Sequence, residues 1–124
     1  MSKVLLGMHN PKLLRDYQKY FERRGYGVEV HDTLEGMLTC ATREPYSVYF
    51  MDINLGLPNT SNTSPAEKIY AAMQQHSREG EAHFLAFSSN AQAVASAKEK
   101  KIPAISKSDF NSLLEFLGKI KNRE

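Results

Sequence analysis

Apolar residues in this chain recur at two spacings in turn, and that alternation spells out a succession of strands and helices. Lys3-Val4-Leu5-Leu6-Gly7-Met8 is a compact apolar run, the pattern of a strand covered on both faces. Asn10-Pro11 marks a turn that also opens a helix well. Leu13, Leu14, Tyr17, Tyr20 and Phe21 then recur at helical spacing, with Lys12, Arg15, Asp16, Lys19 and Arg23 on the opposite side. Gly25 closes that helix, and Tyr26-Gly27-Val28-Glu29-Val30-His31 alternates as a strand with one wetter face. Asp32 or Thr33 caps a second helix, whose apolar stripe is Leu34, Met37, Leu38 and Ala41, and Pro45 ends it. Tyr46-Ser47-Val48-Tyr49-Phe50-Met51 is again apolar on both faces, ends on Asp52 and passes into a loop.

The stretch from Leu55 to Thr63 is rich in Pro, Gly, Asn, Ser and Thr and predicts an exposed, mobile loop that packs no core. Ser64 reads as the cap of a third helix, with Pro65 in its first turn and Glu67 placed to reach back to the cap amide. Ile69, Tyr70 and Met73 form its apolar side, and Glu79-Gly80-Glu81 ends it. His83-Phe84-Leu85-Ala86-Phe87 is a fourth buried strand, running into Ser88-Ser89. Ala91 to Lys101 is a weakly amphipathic helix with Ala93, Val94 and Ala97 inward, and Ile102-Pro103-Ala104-Ile105-Ser106 is a short fifth strand with Lys107 at its end. Ser108 or Asp109 caps a last helix with a broad apolar face of Phe110, Leu113, Leu114, Phe116, Leu117 and Ile120.

Five strands alternating with five helices predict an α/β fold in three layers, α/β/α, around a five-stranded parallel sheet, because each parallel crossover is right-handed and carries a helix across one face. The flavodoxin-like order 2-1-3-4-5 is the common solution at this size. In that order the carboxyl ends of strands one, three, four and five are neighbours, which gathers Met8, His9, Asp52, Ser88 and Lys107 around one pocket. Ligands and chemistry sit at that edge of open α/β sheets. Alone, Asp52 reads first as a turn cap accepting amide hydrogens from Ile53-Asn54-Leu55-Gly56.

Composition narrows the function classes. A chain of 124 residues is expected to form a single domain over residues 1–124. A net charge of +2 argues against a nucleic-acid partner, which requires basic residues concentrated on one face. Lys98-Glu99-Lys100-Lys101 and Lys119-Ile120-Lys121-Asn122-Arg123 read as solvated helix ends that complement the helix dipole. Cys40 is the single cysteine, which rules out an internal disulfide and suits a reducing compartment. Beside Leu38 and Ala41 it reads as a small core residue. No signal peptide and no bilayer-spanning apolar stretch is found, so no membrane association and a cytoplasmic location are expected. His31, His76 and His83 are scattered and take structural readings.

An Asp ending strand three, a Ser ending strand four and a Lys ending strand five, together with Asn10-Pro11, Met51-Asp52-Ile53-Asn54-Leu55 and Ile105-Ser106-Lys107-Ser108, make the chain resemble the receiver domain of two-component response regulators (CheY-like). The resemblance covers nearly the whole chain. It implies that Asp52 stands at the phosphoryl-acceptor position, Ser88 at that of the hydroxyl which moves toward the phosphoryl group, and Lys107 at that of its cation. The trio is chemically coherent in its own right, since phosphoryl transfer to a carboxylate rests on positioning and on neutralising charge on the phosphoryl oxygens. Receivers also carry two adjacent carboxylates after the first strand that hold Mg²⁺, and here those positions read Met8 and His9. Asp52 and the Asn54 carbonyl remain as metal ligands, so Mg²⁺ is expected to bind weakly. Pairing of His9 with Asp52 on a transition ion lacks a third spaced ligand, and a hydrogen bond from His9 to Asp52 or to a loop carbonyl is the expectation. The aromatic switch position of receivers falls on Ala104, and the segment from Ser88 to Lys107 is short for the family, which implies a trimmed or irregular fourth helix.

These features give an atypical, stand-alone receiver (a pseudo-receiver) in phosphorelay signal transduction. It is expected to act by protein contact with a histidine kinase or a downstream effector, with phosphorylation of Asp52 weak, altered or absent, and with no output domain attached. It is not expected to be an enzyme beyond self-phosphorylation of Asp52 from a phosphodonor. The alternative is a small hydrolase or transferase with His9 as base and Asp52 as nucleophile. A flavin or nucleotide binder is disfavoured, because Met8-His9-Asn10-Pro11 offers no run of Ser, Thr or Gly amides at the first helix start.

Overall fold

The computed structural model describes residues 2–57, 60–78 and 81–120. Strand and helix alternate throughout: β1 (Lys3–Gly7), α1 (Pro11–Glu22), β2 (Gly27–His31), α2 (Leu34–Arg43), β3 (Val48–Asp52), α3 (Ser64–His76), β4 (His83–Ser88), α4 (Ala91–Glu99), β5 (Ala104–Ser106) and α5 (Phe110–Gly118). The strands pair in parallel in the order β2-β1-β3-β4-β5. The parallel three-layer arrangement is the one the alternating periodicity predicts, and the order is the flavodoxin-like one expected as the common solution at this size. Side-chain alternation sends Leu5, Tyr49, Met51 and Ala86 to the face covered by Met37 and Cys40 of α2, Ile69 of α3 and Ala93 of α4. Val4, Leu6, Phe50 and Phe87 point to the other face, against Phe21 of α1 and Leu117 of α5. Every residue of β3 is buried, and burying a side chain such as Phe50 stabilises the fold by roughly 1.5–3 kcal/mol.

Helix starts follow the capping residues. Asn10, Thr33, Asn90 and Asp109 each accept amide hydrogens from the first turn that follows. The third helix departs from its expected start. Its cap position is Thr63 rather than Ser64; the Thr63 side chain bonds none of the free amides, and Asn62 Oδ1 accepts the Ser64 amide hydrogen at 2.8 Å. Instead the Thr63 hydroxyl donates to Glu67 Oε2 at 2.7 Å and accepts from Lys100 Nζ at 2.7 Å, with Lys100 also 3.0 Å from Glu67. The Thr63 hydrogen bond, followed by Lys100, holds the Glu67 carboxyl below its usual range. Glu67 therefore reaches back to a hydroxyl that a distant lysine also engages.

Three further expectations are corrected. The segment after Asp52 does pack core: Ile53 and Leu55 are fully buried and Thr63 is nearly so, while Leu57 and residues 60–62 are exposed. The fourth helix is short but regular and ends at Glu99, with Lys101 at φ 65° turning the chain toward a three-residue β5. Of the broad apolar face expected on α5, Leu117 and Ile120 are buried and Leu113 and Phe116 pack at its margin, whereas Phe110 (67%) and Leu114 (66%) face solvent. Pro58 and Asn59 of the loop, Glu79 and Gly80 of the expected helix end, and Lys121, Asn122 and Arg123 of the basic tail lie outside the described residues.

Gly7 ends β1 where α2 and the loop after β3 converge. A methyl at this position would collide with Met37 Sδ and lie 2.7 Å from Leu55 Cδ2. Gly7→Ala is expected to lower stability by about 1–3 kcal/mol, the usual cost of overpacking, measured as a fall in the urea midpoint at constant m-value. An unchanged midpoint would show that Met37 and Leu55 yield freely.

Candidate functional site

Asp52 ends the central strand and is 1% exposed. Its carboxylate is held from two sides. The turn between β1 and α1, fixed by Asn10 accepting from the Lys12 and Leu13 amides at 2.9 and 3.2 Å, aims the His9 amide at Asp52 Oδ2, 2.7 Å away. The His9 ring meets the same oxygen, with Nδ1 3.0 Å from Oδ2. Across the ring, Nε2 accepts the Gly56 amide hydrogen at 2.8 Å. An amide N–H can only donate, so Nε2 carries the lone pair and the proton sits on Nδ1, facing the carboxylate. The ring is therefore the Nδ1–H tautomer; Oδ2 accepts the hydrogen bond of the His9 amide, and Nδ1 stands beside the same oxygen at ion-pair distance without hydrogen-bond direction.

Lys107 closes the other side. It follows the short β5, its amide donates to the Ser88 carbonyl at 3.0 Å, and its Nζ lies 3.0 Å from Asp52 Oδ1 and 4.9 Å from the centroid of the Phe87 ring. The contact has ion-pair distance, yet Oδ1 receives no hydrogen bond of proper direction among the described residues. Lys107 thus acts on Oδ1 chiefly as a nearby charge. Gly56 sits at φ 84°, a left-handed conformation that glycine adopts at no steric cost, and this turn presents its amide to His9.

The other sequence candidates are placed as follows. Ser88 ends β4 beside the site and is 4% exposed, but its hydroxyl accepts the Asn90 amide hydrogen at 3.0 Å and makes no hydrogen bond to Asp52 among the described residues. Met8 is fully buried in the core on the α1/α5 side, so its side chain is not part of the rim. The Asn54 carbonyl accepts the Leu57 amide hydrogen at 2.8 Å, and the Asn54 side chain donates to the Thr60 carbonyl at 2.9 Å. Ala104 is buried at the start of β5. Asp52, His9 and Lys107 are in direct contact; Ser88 and Asn54 flank them. Sequence reading singled out His9, but the bond from Gly56 that fixes its tautomer had no signal beyond the glycine itself.

Among solved structures, the response regulator TrrA from Thermotoga maritima, in complex with Mg²⁺-BeF, superposes with a TM-score of 0.68 at 16% identity, over 96% of this chain and 98% of that one. The Vibrio cholerae chemotaxis protein CheY4 gives 0.67 at 19% identity, over 97% and 98%. The chain has the receiver-domain fold. A de novo designed Rossmann 2x3 protein also gives 0.67 at 16% identity, over 100% and 95%, so the likeness is one of backbone architecture, and function has to be argued from the site. No family model and no curated protein matches the sequence.

The resemblance to receivers directs attention to Mg²⁺ at this rim of the fold. Magnesium requires hard oxygen donors in near-octahedral array. Here a thioether is turned into the core, an imidazole stands against Oδ2, and that oxygen already accepts the His9 amide hydrogen bond. This donor set does not fit Mg²⁺.

Proposed function

We propose that residues 1–124 form a single, atypical receiver-type domain of two-component signalling that works by protein contact. Its Asp52 is held in one fixed, neutralised arrangement rather than cycled through phosphorylation. One observation carries this reading: the His9 imidazole bridges Asp52 Oδ2 and the Gly56 amide at a position where, by resemblance, receivers have a metal-binding acid. Lys107 sets a positive charge beside Oδ1, and His9 gives Oδ2 one amide hydrogen bond and a ring nitrogen 3.0 Å away, so the carboxylate is opposed by residues of the chain itself. Signal would then pass through surfaces that recognise this fixed state, and the partner is a protein such as a histidine kinase or a downstream effector. The complex reported for TrrA with Mg²⁺-BeF supplies the contrasting state for this fold.

The test is intact-mass analysis after incubation with Mg²⁺ and an acyl phosphate, for the wild-type chain and Asp52→Asn. Little or no phosphoryl adduct is expected on the wild type. Stoichiometric labelling that disappears in Asp52→Asn would overturn the proposal. The geometry counts against His9 as a general base: Nδ1 faces a carboxylate and Nε2 is bonded to Gly56, so neither nitrogen is free to accept a substrate proton.

A further inference from the structure

A second cluster of chemically capable side chains lies on the outermost strand, between β2 and α2. Glu29 and His31 are two residues apart on β2, so both point to one face. Their neighbours in register on β1 are Leu5 and Gly7, and across from them α2 presents Cys40. His31 Nε2 is 3.2 Å from Cys40 Sγ, Cys40 Sγ is 3.1 Å from Glu29 Oε2, and the three atoms all lie within 4.8 Å of one another. Ligand atoms on a tetrahedral zinc ion stand about 3.4–3.6 Å apart, given bonds of about 2.0–2.2 Å to nitrogen and oxygen and 2.3 Å to sulfur. The triad is within a few tenths of an ångström of that spacing at its two measured edges.

The surroundings favour a cation independently. The Tyr46 hydroxyl is buried, with the residue 3% exposed. It borders Cys40 and Glu29 closely enough to influence both, yet meets no partner at hydrogen-bonding geometry among the described residues. A buried hydroxyl left without a partner is destabilising. While the sulfur keeps its proton, the thiol donates to Glu29. Loss of that proton turns the sulfur into an acceptor that this hydroxyl can use. Around the triad, Lys3 Nζ holds the second Glu29 oxygen at 3.3 Å, which orients the carboxylate. Gly36 leaves room for the imidazole, since a methyl there would lie 2.6 Å from His31 Nδ1.

We propose that Glu29, His31 and Cys40 form a binding site for a thiophilic divalent ion of the zinc class. Neutral imidazole, thiolate and carboxylate are the donor set that zinc favours over magnesium or calcium. Binding transfers the Cys40 proton to solvent and forms a metal–sulfur bond; the carboxylate and thiolate together then balance the ion's two positive charges. Glu29 keeps 33% of its side chain in contact with solvent, so water can supply a fourth ligand. The site is separate from Asp52 and would stand if the receiver reading failed.

The test is titration of the purified, chelator-treated protein with Co²⁺, followed by displacement with Zn²⁺. A thiolate-to-cobalt charge-transfer band saturating at one equivalent and bleached by Zn²⁺ is expected. The band should be lost in Cys40→Ser. Affinity should fall by at least about 10–100-fold in His31→Ala and Glu29→Gln, the amount that even an outer-shell change costs, and His76→Ala should leave it unchanged. Circular dichroism reports whether each variant folds; if Cys40→Ser does not, the His31→Ala and Glu29→Gln affinities decide alone. Absence of a thiolate band in the wild type, or wild-type affinity in His31→Ala and Glu29→Gln, would overturn the proposal and leave the cluster as a hydrogen-bonded patch.

Discussion

His9→Asp is expected to convert the Asp52 pocket into a Mg²⁺ site. The substitution removes the ring from Oδ2, where Nδ1 now stands 3.0 Å away, and places a second carboxylate beside the first. Two unit charges about 4 Å apart interact by about 4 kcal/mol at an effective dielectric near 20. Even with half of that lost to desolvation and to repulsion between the acids, the doubly charged ion should gain about 100-fold or more in affinity. The same variant should accept a phosphoryl group from an acyl phosphate more readily than the wild type, because the metal neutralises charge that Lys107 alone must otherwise oppose. Calorimetric titration with Mg²⁺ and intact mass after phosphodonor treatment check the two outcomes. Met8 is better left alone, since it is fully buried and a carboxylate there would destabilise the core. If His9→Asp binds Mg²⁺ no better than the wild type, the imidazole is not what closes the pocket to the metal.

Lys107→Met and Asp52→Asn should differ sharply in stability although they break the same ion pair. Removing the ammonium leaves a carboxylate that is 1% exposed with no cation at Oδ1, and the expected cost is about 3 kcal/mol. Neutralising the acid leaves an ammonium that is already 31% exposed. It can turn to water, so the expected cost is about 1 kcal/mol or less. Combining the two substitutions should recover most of the loss, because neither charge is then stranded. Chemical unfolding midpoints of the two single variants and the double variant test the scheme. Equal costs for the single variants would mean that the carboxylate reaches water by another route.

The parts of this structure that the sequence announces are those governed by repeating local pattern. The runs Lys3–Gly7, Val48–Asp52 and His83–Ser88 are apolar because helices cover both sides of them, and Asn10, Thr33 and Asp109 name their helices by capping chemistry. The gathering of Asp52 and Lys107 follows from strand order, which the local pattern does not specify and which is expected as the common solution for a parallel sheet of this size. What was hidden depends on residues remote in sequence. Leu55 is buried because Met37 of α2 and Gly7 of β1 leave a space for it, and Thr63 is engaged by Lys100, thirty-seven positions on. Helical periodicity on α5 marked too wide a stripe, since it identifies an apolar side without showing how much of it the sheet can cover. The alternation at Glu29 and His31 suggested a strand face turned to water, whereas α2 lies over it and sets a thiol between the two polar side chains.

Strand length has a dynamic consequence for the buried acid. β5 pairs with β4 at only three positions and forms an outer edge of the sheet, so its amides should exchange with solvent deuterium sooner than those of the central strands. The ammonium that faces Asp52 is attached directly after that strand. Each brief detachment of the edge would therefore withdraw the positive charge and leave the carboxylate facing His9 alone. The electrostatic state of the most enclosed acid among the described residues thus depends on a short edge strand, and a partner that clamps residues 104–106 would tighten it without touching it.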